Sequence, residues 1–255
     1  MTDVLLQTRG VCVNFGGLAA LTNFDLEIQQ GSIIGLIGPN GAGKTTVFNA
    51  ITGIVIPRRG SILFKGQEIK GWTPTQVARF GIARTFQNIR LYDDLSVVEN
   101  VMVAGHASIG YTVFEAVFGI GRFWKKERQL RQEAYRLLEA TGLADVAHWK
   151  AGELPYGNQR KVEMARALAL KPSLILLDEP VAGMNPRETI EFGELLLRLH
   201  QELQLTVCLI EHDMSFVMDV CHYLQVLDHG IPIAWGTPEE VRSNPAVITA
   251  YLGAT

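Results

Sequence analysis

An α/β fold built on a parallel sheet is the class this sequence predicts, and three observations carry the prediction. Short apolar runs at 32–37, 172–177 and 205–210 read as buried strands. They alternate with helical patterns at 46–51 and 190–203, the order expected when crossover helices join parallel strands. A glycine-rich segment links the first run to its helix, and the second run ends in two adjacent acids.

The first third is β-rich, with candidate strands at 5–13, 24–28, 33–37 and 61–64. Lys65-Gly66-Gln67 reads as a turn and Pro57-Arg58-Arg59-Gly60 as a loop. The helix after the glycine-rich segment ends near Gly53. From 97 to about 169 the pattern is helical. Within it, 124–141 is charged, with apolar positions Leu130, Tyr135, Leu137 and Leu138, and it stops at Gly142. The helix at 190–203 carries leucines at Leu195, Leu196, Leu199 and Leu203. Segments 223–227 and 231–235 form a predicted hairpin turning at His229-Gly230. Pro232 has no amide hydrogen to give a ladder, so its strand belongs at an edge. The helical block between the two α/β portions reads as an inserted subdomain.

Composition narrows the classes. The chain has 255 residues, 47 % apolar and 19 % charged, an ordinary globular balance with room for a sizeable core. Net charge is −3 with no block of lysine and arginine, which argues against nucleic acid as the main partner. Cys12, Cys208 and Cys221 are sparse and lack metal-ligand spacing, so they read as small apolar residues in a reducing compartment. The segment around Asp3 and Arg9 lacks the apolar core of a secretory signal. No apolar stretch reaches the roughly 18 residues a bilayer crossing needs. A cytoplasmic chain is expected, with any membrane role exercised through partners.

Gly38-Pro39-Asn40-Gly41-Ala42-Gly43-Lys44-Thr45 fits G-x-x-x-x-G-K-S/T at every fixed position. Strand, glycine loop and helix start are the geometry that holds a polyphosphate. Backbone N–H groups point at the anion, and glycines let the chain come close. In this pattern Lys44 reaches the β- and γ-phosphates, and the Thr45 hydroxyl ligates Mg²⁺. Thr46 continues the helix start.

Leu174-Ile175-Leu176-Leu177-Asp178-Glu179 is the second constellation. A buried strand fixes both acids at its carboxyl end, where ligands of open α/β sheets bind. Asp178 suits Mg²⁺, directly or through water. Glu179, one residue further, is placed to orient or deprotonate an attacking water.

With these two motifs and three more in order, the chain resembles the ATP-binding cassette (ABC) ATPases over nearly its whole length. Gln87 in Arg84-Thr85-Phe86-Gln87 matches the family's glutamine loop, and His212 in Ile210-Glu211-His212-Asp213 its switch histidine. Leu154-Pro155-Tyr156-Gly157-Asn158-Gln159-Arg160 matches the signature usually written L-S-G-G-Q. The resemblance implies a P-loop NTPase (RecA-like) core with an antiparallel β subdomain, formed by 1–87 and 170–255. It implies a helical signature subdomain at 88–169, the whole making one ABC ATPase domain, 1–255. It further implies ATP and Mg²⁺ as cofactors. Glu179, His212 and Gln87 are then catalytic, with Thr45, Gln87 and Asp178 around the metal. Phe15 in Val13-Asn14-Phe15-Gly16 matches the aromatic that stacks on adenine, a contact worth about 1–3 kcal/mol; the alternative is a core aromatic of its strand. Pro155, Tyr156, Gly157 and Asn158 would meet the nucleotide of a partner subunit, so that two ATPs are sandwiched between two ATPases.

Two positions depart from the family pattern. Pro155 replaces serine and removes both a hydroxyl and an N–H. Either the signature then contributes less to the composite site through Gly157 and a helix beginning near Asn158, or Pro155 simply starts that helix. Asn185 in Ala182-Gly183-Met184-Asn185-Pro186 replaces aspartate, keeping hydrogen-bonding shape and dropping charge.

Within the family the chain is similar to LivG-type ATPases of branched-chain amino acid importers. The residues concerned are Glu179-Pro180-Val181-Ala182-Gly183-Met184-Asn185-Pro186, Leu154-Pro155-Tyr156-Gly157 and Gly236-Thr237-Pro238-Glu239-Glu240-Val241. The aromatic segment 111–118 with Phe123-Trp124 resembles an insertion of that group; it either docks a membrane subunit or packs on its own subdomain. The resemblance implies a second ATPase subunit, more often a different chain than a copy, two transmembrane permease subunits and, indirectly, a solute-binding protein. The implied place is the cytoplasmic face of the inner membrane. Soluble ABC ATPases of DNA repair or translation fit less well, for the chain has one cassette, no coiled coil and no basic stripe. A regulatory subunit without turnover would not need both Glu179 and His212.

Overall fold

The computed structural model describes residues 4–106 and 123–252. It divides into two compact units, Met1–Arg84 with Ser173–Thr255, and Thr85–Pro172.

In the first unit, β1 (Val4–Phe15), β2 (Leu18–Gln29), β4 (Arg59–Phe64) and β5 (Gln67–Glu68) form an antiparallel sheet ordered β2-β1-β4-β5. Strand β2 begins well before the predicted residue 24. Its first half is exposed and irregular: Leu18 is 69 % exposed, Asn23 has φ 48°, and the register with β1 shifts repeatedly. A stretch without alternating burial leaves no period-2 signal. Similarly, Arg59 and Gly60 lie in β4 and Gln67 in β5, where a loop and a turn were expected.

The second sheet is ordered β10-β9-β3-β8-β7-β6. Its strands are β3 (Ile33–Ile37), β6 (Ile82–Arg84), β7 (Leu174–Asp178), β8 (Thr206–Ile210), β9 (Tyr223–Asp228) and β10 (Ile231–Gly236). All pairings are parallel except β9–β10. Every residue of β3, β7 and β8 is buried, which is why these runs read as uninterrupted apolar stretches. Each fully buried leucine or isoleucine there contributes roughly 1.5–3 kcal/mol. Strand β10 is at the sheet edge, and its register shifts between Pro232 and Ala234, as a residue without an amide hydrogen requires.

Helix α1 (Lys44–Ile51) leaves β3, and α2 (Pro74–Phe80) precedes β6. Helix α2 escaped the sequence reading although its start is signalled: Thr73 and Gln76 form a capping box with Pro74 in the first turn.

The second unit is helical: α3 (Val97–His106), α4 (Phe123–Ala140) and α5 (Tyr156–Ala169). Val101, Leu130, Ala134, Leu137 and Leu138 are buried, whereas Tyr135 is only half-buried. Gly142 follows α4 with φ 71°, a left-handed stop that suits glycine. The aromatic segment at 111–118 lies outside the described residues. Trp124 on α4 is 68 % exposed.

Back in the first unit, α6 (Pro186–Leu203) starts earlier than the predicted 190. Asn185 caps it, accepting from the amides of Arg187 and Glu188 at 3.0 Å each, while Glu188 accepts from the Asn185 amide at 3.0 Å. Asparagine caps a helix about as well as aspartate, so this departure keeps its local structural job. The short α7 (Met214–Val220), α8 (Pro238–Arg242) and α9 (Pro245–Leu252) complete the unit. Thr237 caps α8 in a box with Glu240.

Candidate functional site

The site grows from adjacent strand ends of the first unit. β3, β8 and β7 are consecutive in the sheet, with Leu36 opposite Ile210 and Ile210 opposite Asp178. The loops leaving these strands therefore emerge side by side.

The first loop is Gly38 to Gly43. Gly38 has φ 150° and Gly43 φ 101°. A Cβ on Gly38 would meet the Leu227 carbonyl at 2.1 Å, and one on Gly43 the Ala20 carbonyl at 2.6 Å. Only glycine fits at either position. Gly43 is the N-cap of α1, and among the described residues no side chain caps that end. The helix amides thus keep their donors for something other than protein side chains. The helix opens at Lys44, two residues before the predicted 46, because left-handed Gly43 turns the chain into it.

Lys44 is 6 % exposed. Its Nζ donates to the carbonyls of Gly38 at 2.7 Å and Pro39 at 2.9 Å. Burial lowers its pKa, with the charges of Glu179 and Asp178 opposing that shift. The ammonium is therefore held at the loop in the field of both acids.

Asp178 ends β7 and is 4 % exposed. Arg84 Nη2, on neighbouring β6, lies 2.7 Å from Asp178 Oδ2, and Arg84 Nη1 donates to Asn49 Oδ1 of α1 at 2.7 Å. The guanidinium thus ties β6, β7 and α1 together, a role that no motif announces.

Glu179 has φ 50°, a left-handed conformation that disfavours side chains by roughly 1–2 kcal/mol. Its amide donates to the Ile210 carbonyl at 2.9 Å, and its carbonyl accepts from Ala182 at 3.2 Å. That turn carries Glu179 Oε1 to 3.2 Å from His212 Nε2. Next to His212, Glu211 is 3 % exposed. It accepts from the amides of Val181 at 2.9 Å, His212 at 3.0 Å and Asp213 at 3.4 Å. Burial pushes the Glu211 carboxyl up, against the pull of these three N–H groups.

A cleft of about 480 Å³ is lined by Asn40, Gly41, Ala42, Gly43, Lys44, Thr45, Thr46, Glu179, His212 and Phe15 together with Leu18, Ala19, Ala20 and His229. Phe15 is 50 % exposed there, so it is not the core aromatic that its strand position also allowed. Gly38, Pro39 and Asp178 are not among the lining residues. His229 escaped the sequence reading except as part of a turn; its φ of 45° is the mark of that turn. Arg84 and Glu211 lie within the motifs, but no spacing announces what they do there.

The remaining expected residues, Gln87, Pro155, Tyr156, Gly157 and Asn158, belong to the second unit. There, Arg160 connects two of the motifs. Its Nη2 donates to the Gln87 carbonyl at 2.6 Å and the Tyr156 hydroxyl at 2.9 Å, and its Nη1 to the Phe86 carbonyl at 3.1 Å. Glu163 balances it at 3.1 Å, with both side chains buried. Helix α5 begins at Tyr156, not near Asn158, with Pro155 as N-cap. Pro155 lacks an N–H, but its carbonyl accepts from Asn158 and Gln159 at 3.0 Å each, so the helix winds from there.

A glycine loop between a buried strand and a helix, a buried lysine, and two acids at the carboxyl end of the next strand but one define a P-loop nucleotide-binding protein. The family model for the ABC transporter matches residues 21–182, and one for the branched-chain amino acid ATP-binding cassette transporter matches 232–255. The chain is 42 % identical over 253 residues to the high-affinity branched-chain amino acid transport ATP-binding protein BraF of Pseudomonas aeruginosa. It is 43 % identical to the corresponding LivG protein of Escherichia coli, with 99 % of each chain covered in both cases. Among solved structures, the ADP conformation of MJ1267, an ATP-binding cassette of an ABC transporter, superposes with TM-score 0.86 at 31 % identity. It covers 99 % of this chain and all of the other. A nucleotide-free ATP-binding cassette from an ABC transporter gives 0.85 at 30 %, with the same coverage. The chain belongs to the ABC transporter ATP-binding family.

Proposed function

We propose that this chain is the ATP-hydrolysing subunit of an importer for branched-chain or related hydrophobic amino acids, acting at the cytoplasmic face of the inner membrane. The observation that carries the reading is the cleft in which Lys44, the glycine loop, Glu179 and His212 converge. The names of the full-length relatives supply the solute class.

The residues present fit a magnesium–nucleotide. The uncapped start of α1 and the Cβ-excluding glycines suit a polyphosphate, and Lys44 adds a buried cation. Phe15, exposed at the cleft, offers a face to adenine. Thr45 and Asp178 would hold Mg²⁺, which would neutralise phosphate charge when bound. Glu179 takes the proton of the attacking water, and His212 holds the Glu179 carboxylate in place. Gly38 and Pro39 hold Lys44 through their carbonyls until a phosphate replaces them.

Pro155, Tyr156, Gly157 and Asn158 complete the site of a second ATPase subunit. The assembly includes two permease subunits and, upstream, a solute-binding protein. Residues 1–255 act as one ATPase domain, with the segment 88–169 as its signature subdomain. The test is reconstitution with the partner ATPase and permeases in proteoliposomes. Uptake of labelled leucine that requires ATP on this chain's side, abolished by Glu179→Gln, is the expected result. ATP hydrolysis without amino-acid uptake would remove the solute assignment.

A further inference from the structure

Glu179 is the residue on which turnover depends in the reading above, yet its backbone is left-handed, with φ 50°. A strained conformation at a site persists only where its surroundings over-determine it. The turn that carries Glu179 is short, and two of its restraints, besides its own closing bond, link it to β8 and the loop beyond. One is the Glu179 amide on the Ile210 carbonyl at 2.9 Å. The other is the Val181 amide on Glu211 Oε1 at 2.9 Å. Glu211 is 3 % exposed and follows β8 directly. Its second oxygen accepts from His212 and Asp213. One buried carboxylate therefore grips the loop after Glu179 with one oxygen and the loop of His212 with the other.

We propose that Glu211 is a positioning residue for ATP hydrolysis: its carboxylate clamps the 179–183 turn to the 211–213 loop and so keeps Glu179 against His212. The charge matters as well as the shape. Both oxygens must accept, and an amide in the same place would point its NH₂ at one set of backbone N–H groups. Burial makes that mismatch expensive, because water cannot replace the missing acceptor. The inference rests on Glu179 being the water-activating residue.

The test uses the full-length chain in its assembled transporter. Glu211→Gln should lower kcat for ATP by about 10- to 100-fold, the scale expected when a catalytic group is displaced by an ångström or so. The dissociation constant for Mg·ATP should stay within about threefold, because Lys44 and the glycine loop are untouched. Glu211→Asp, which keeps the charge but is too short to reach both loops, should show the same split and decides the matter if the glutamine variant folds poorly. In a Glu179→Gln background, adding Glu211→Gln should change the residual rate by less than about twofold, since the clamp acts through Glu179. Wild-type kcat in both Glu211 variants, or an equal loss in both backgrounds, overturns the clamp. Wild-type turnover in Glu179→Gln alone would instead overturn the role of Glu179.

Discussion

His212 Nε2 lies 3.2 Å from Glu179 Oε1, although 33 positions separate the two in the chain. The approach follows from parallel pairing. Asp178 and Ile210 are partners across β7 and β8, so the loops beyond them start level. Glu179 is then hydrogen-bonded back to Ile210, which turns its side chain towards the second loop. Removing the carboxylate proposed as the base should lower ATP turnover by roughly 10² to 10⁴. Glu179→Gln is expected to do so while ATP binding persists, read by phosphate release and equilibrium binding. His212→Ala should lower kcat too, with affinity unchanged.

Lys44 presents the opposite signature. Its buried Nζ is satisfied by two loop carbonyls, and charge-assisted bonds to phosphate contribute about 1.5–3 kcal/mol. Lys44→Ala should therefore weaken nucleotide binding by about 10- to 100-fold. Titration with a fluorescent ATP analogue measures this directly, and a dissociation constant within threefold of wild type would exclude phosphate contact by Lys44.

The Arg84–Asp178 pair sits at 2.7 Å with side chains only 7 % and 6 % exposed. Breaking a buried pair by truncating one partner costs about 3–5 kcal/mol, because the other charge stays desolvated. Arg84→Met should lower unfolding free energy by that amount in a urea titration. A loss below about 1 kcal/mol would mean that Asp178 finds other compensation.

Much of this architecture was readable in the residues. The runs that became β3, β7 and β8 are apolar almost throughout because both faces are covered. Glycines 38 and 43 were legible from the G-x-x-x-x-G-K-S/T pattern, and the structure supplies the reason: a Cβ added at either would strike backbone. What stayed hidden lacks local periodicity or depends on distant partners. Half-exposed β2 shows no alternation around Asn23. Helices α2 and α6 start on capping boxes at Thr73 and Asn185, which lie outside any apolar periodicity. Arg84 and Glu211 acquire their roles only when β6 meets β7 and when β8 meets the turn at Val181. Neither relationship has a fixed spacing in sequence.

Cys208 and Cys221 offer a test of the buried sheet. Burial pushes the Cys208 thiol up to about 12 and raises that of Cys221 as well. A raised thiol pKa means that the fold prefers the neutral form. Its stabilising contribution is complete below the unfolded value near 9 and is lost as pH rises towards 12. Iodoacetamide at pH 8 should thus leave both residues unmodified in the native chain and label them after unfolding. Mass spectrometry showing native labelling of Cys208, in β8, would mean that the sheet opens readily, and labelling of Cys221 alone that only the connection between α7 and β9 opens.

Pro155 allows stability and turnover to be separated. It caps α5 without a side-chain acceptor. Serine at an N-cap adds about 0.5–2 kcal/mol relative to residues that cannot accept. Losing proline gives back about 0.4–1 kcal/mol through a freer unfolded chain. These oppose one another, so Pro155→Ser should leave the melting temperature nearly unchanged. In the proposed composite site, however, serine supplies a hydroxyl and an N–H toward the partner's nucleotide. ATPase activity of the assembled transporter should then rise severalfold. An unaltered rate would mean that the carbonyl of Pro155 and the start of α5 already do all that this end of the helix contributes, and a fall would mean that proline's rigidity is itself part of the site.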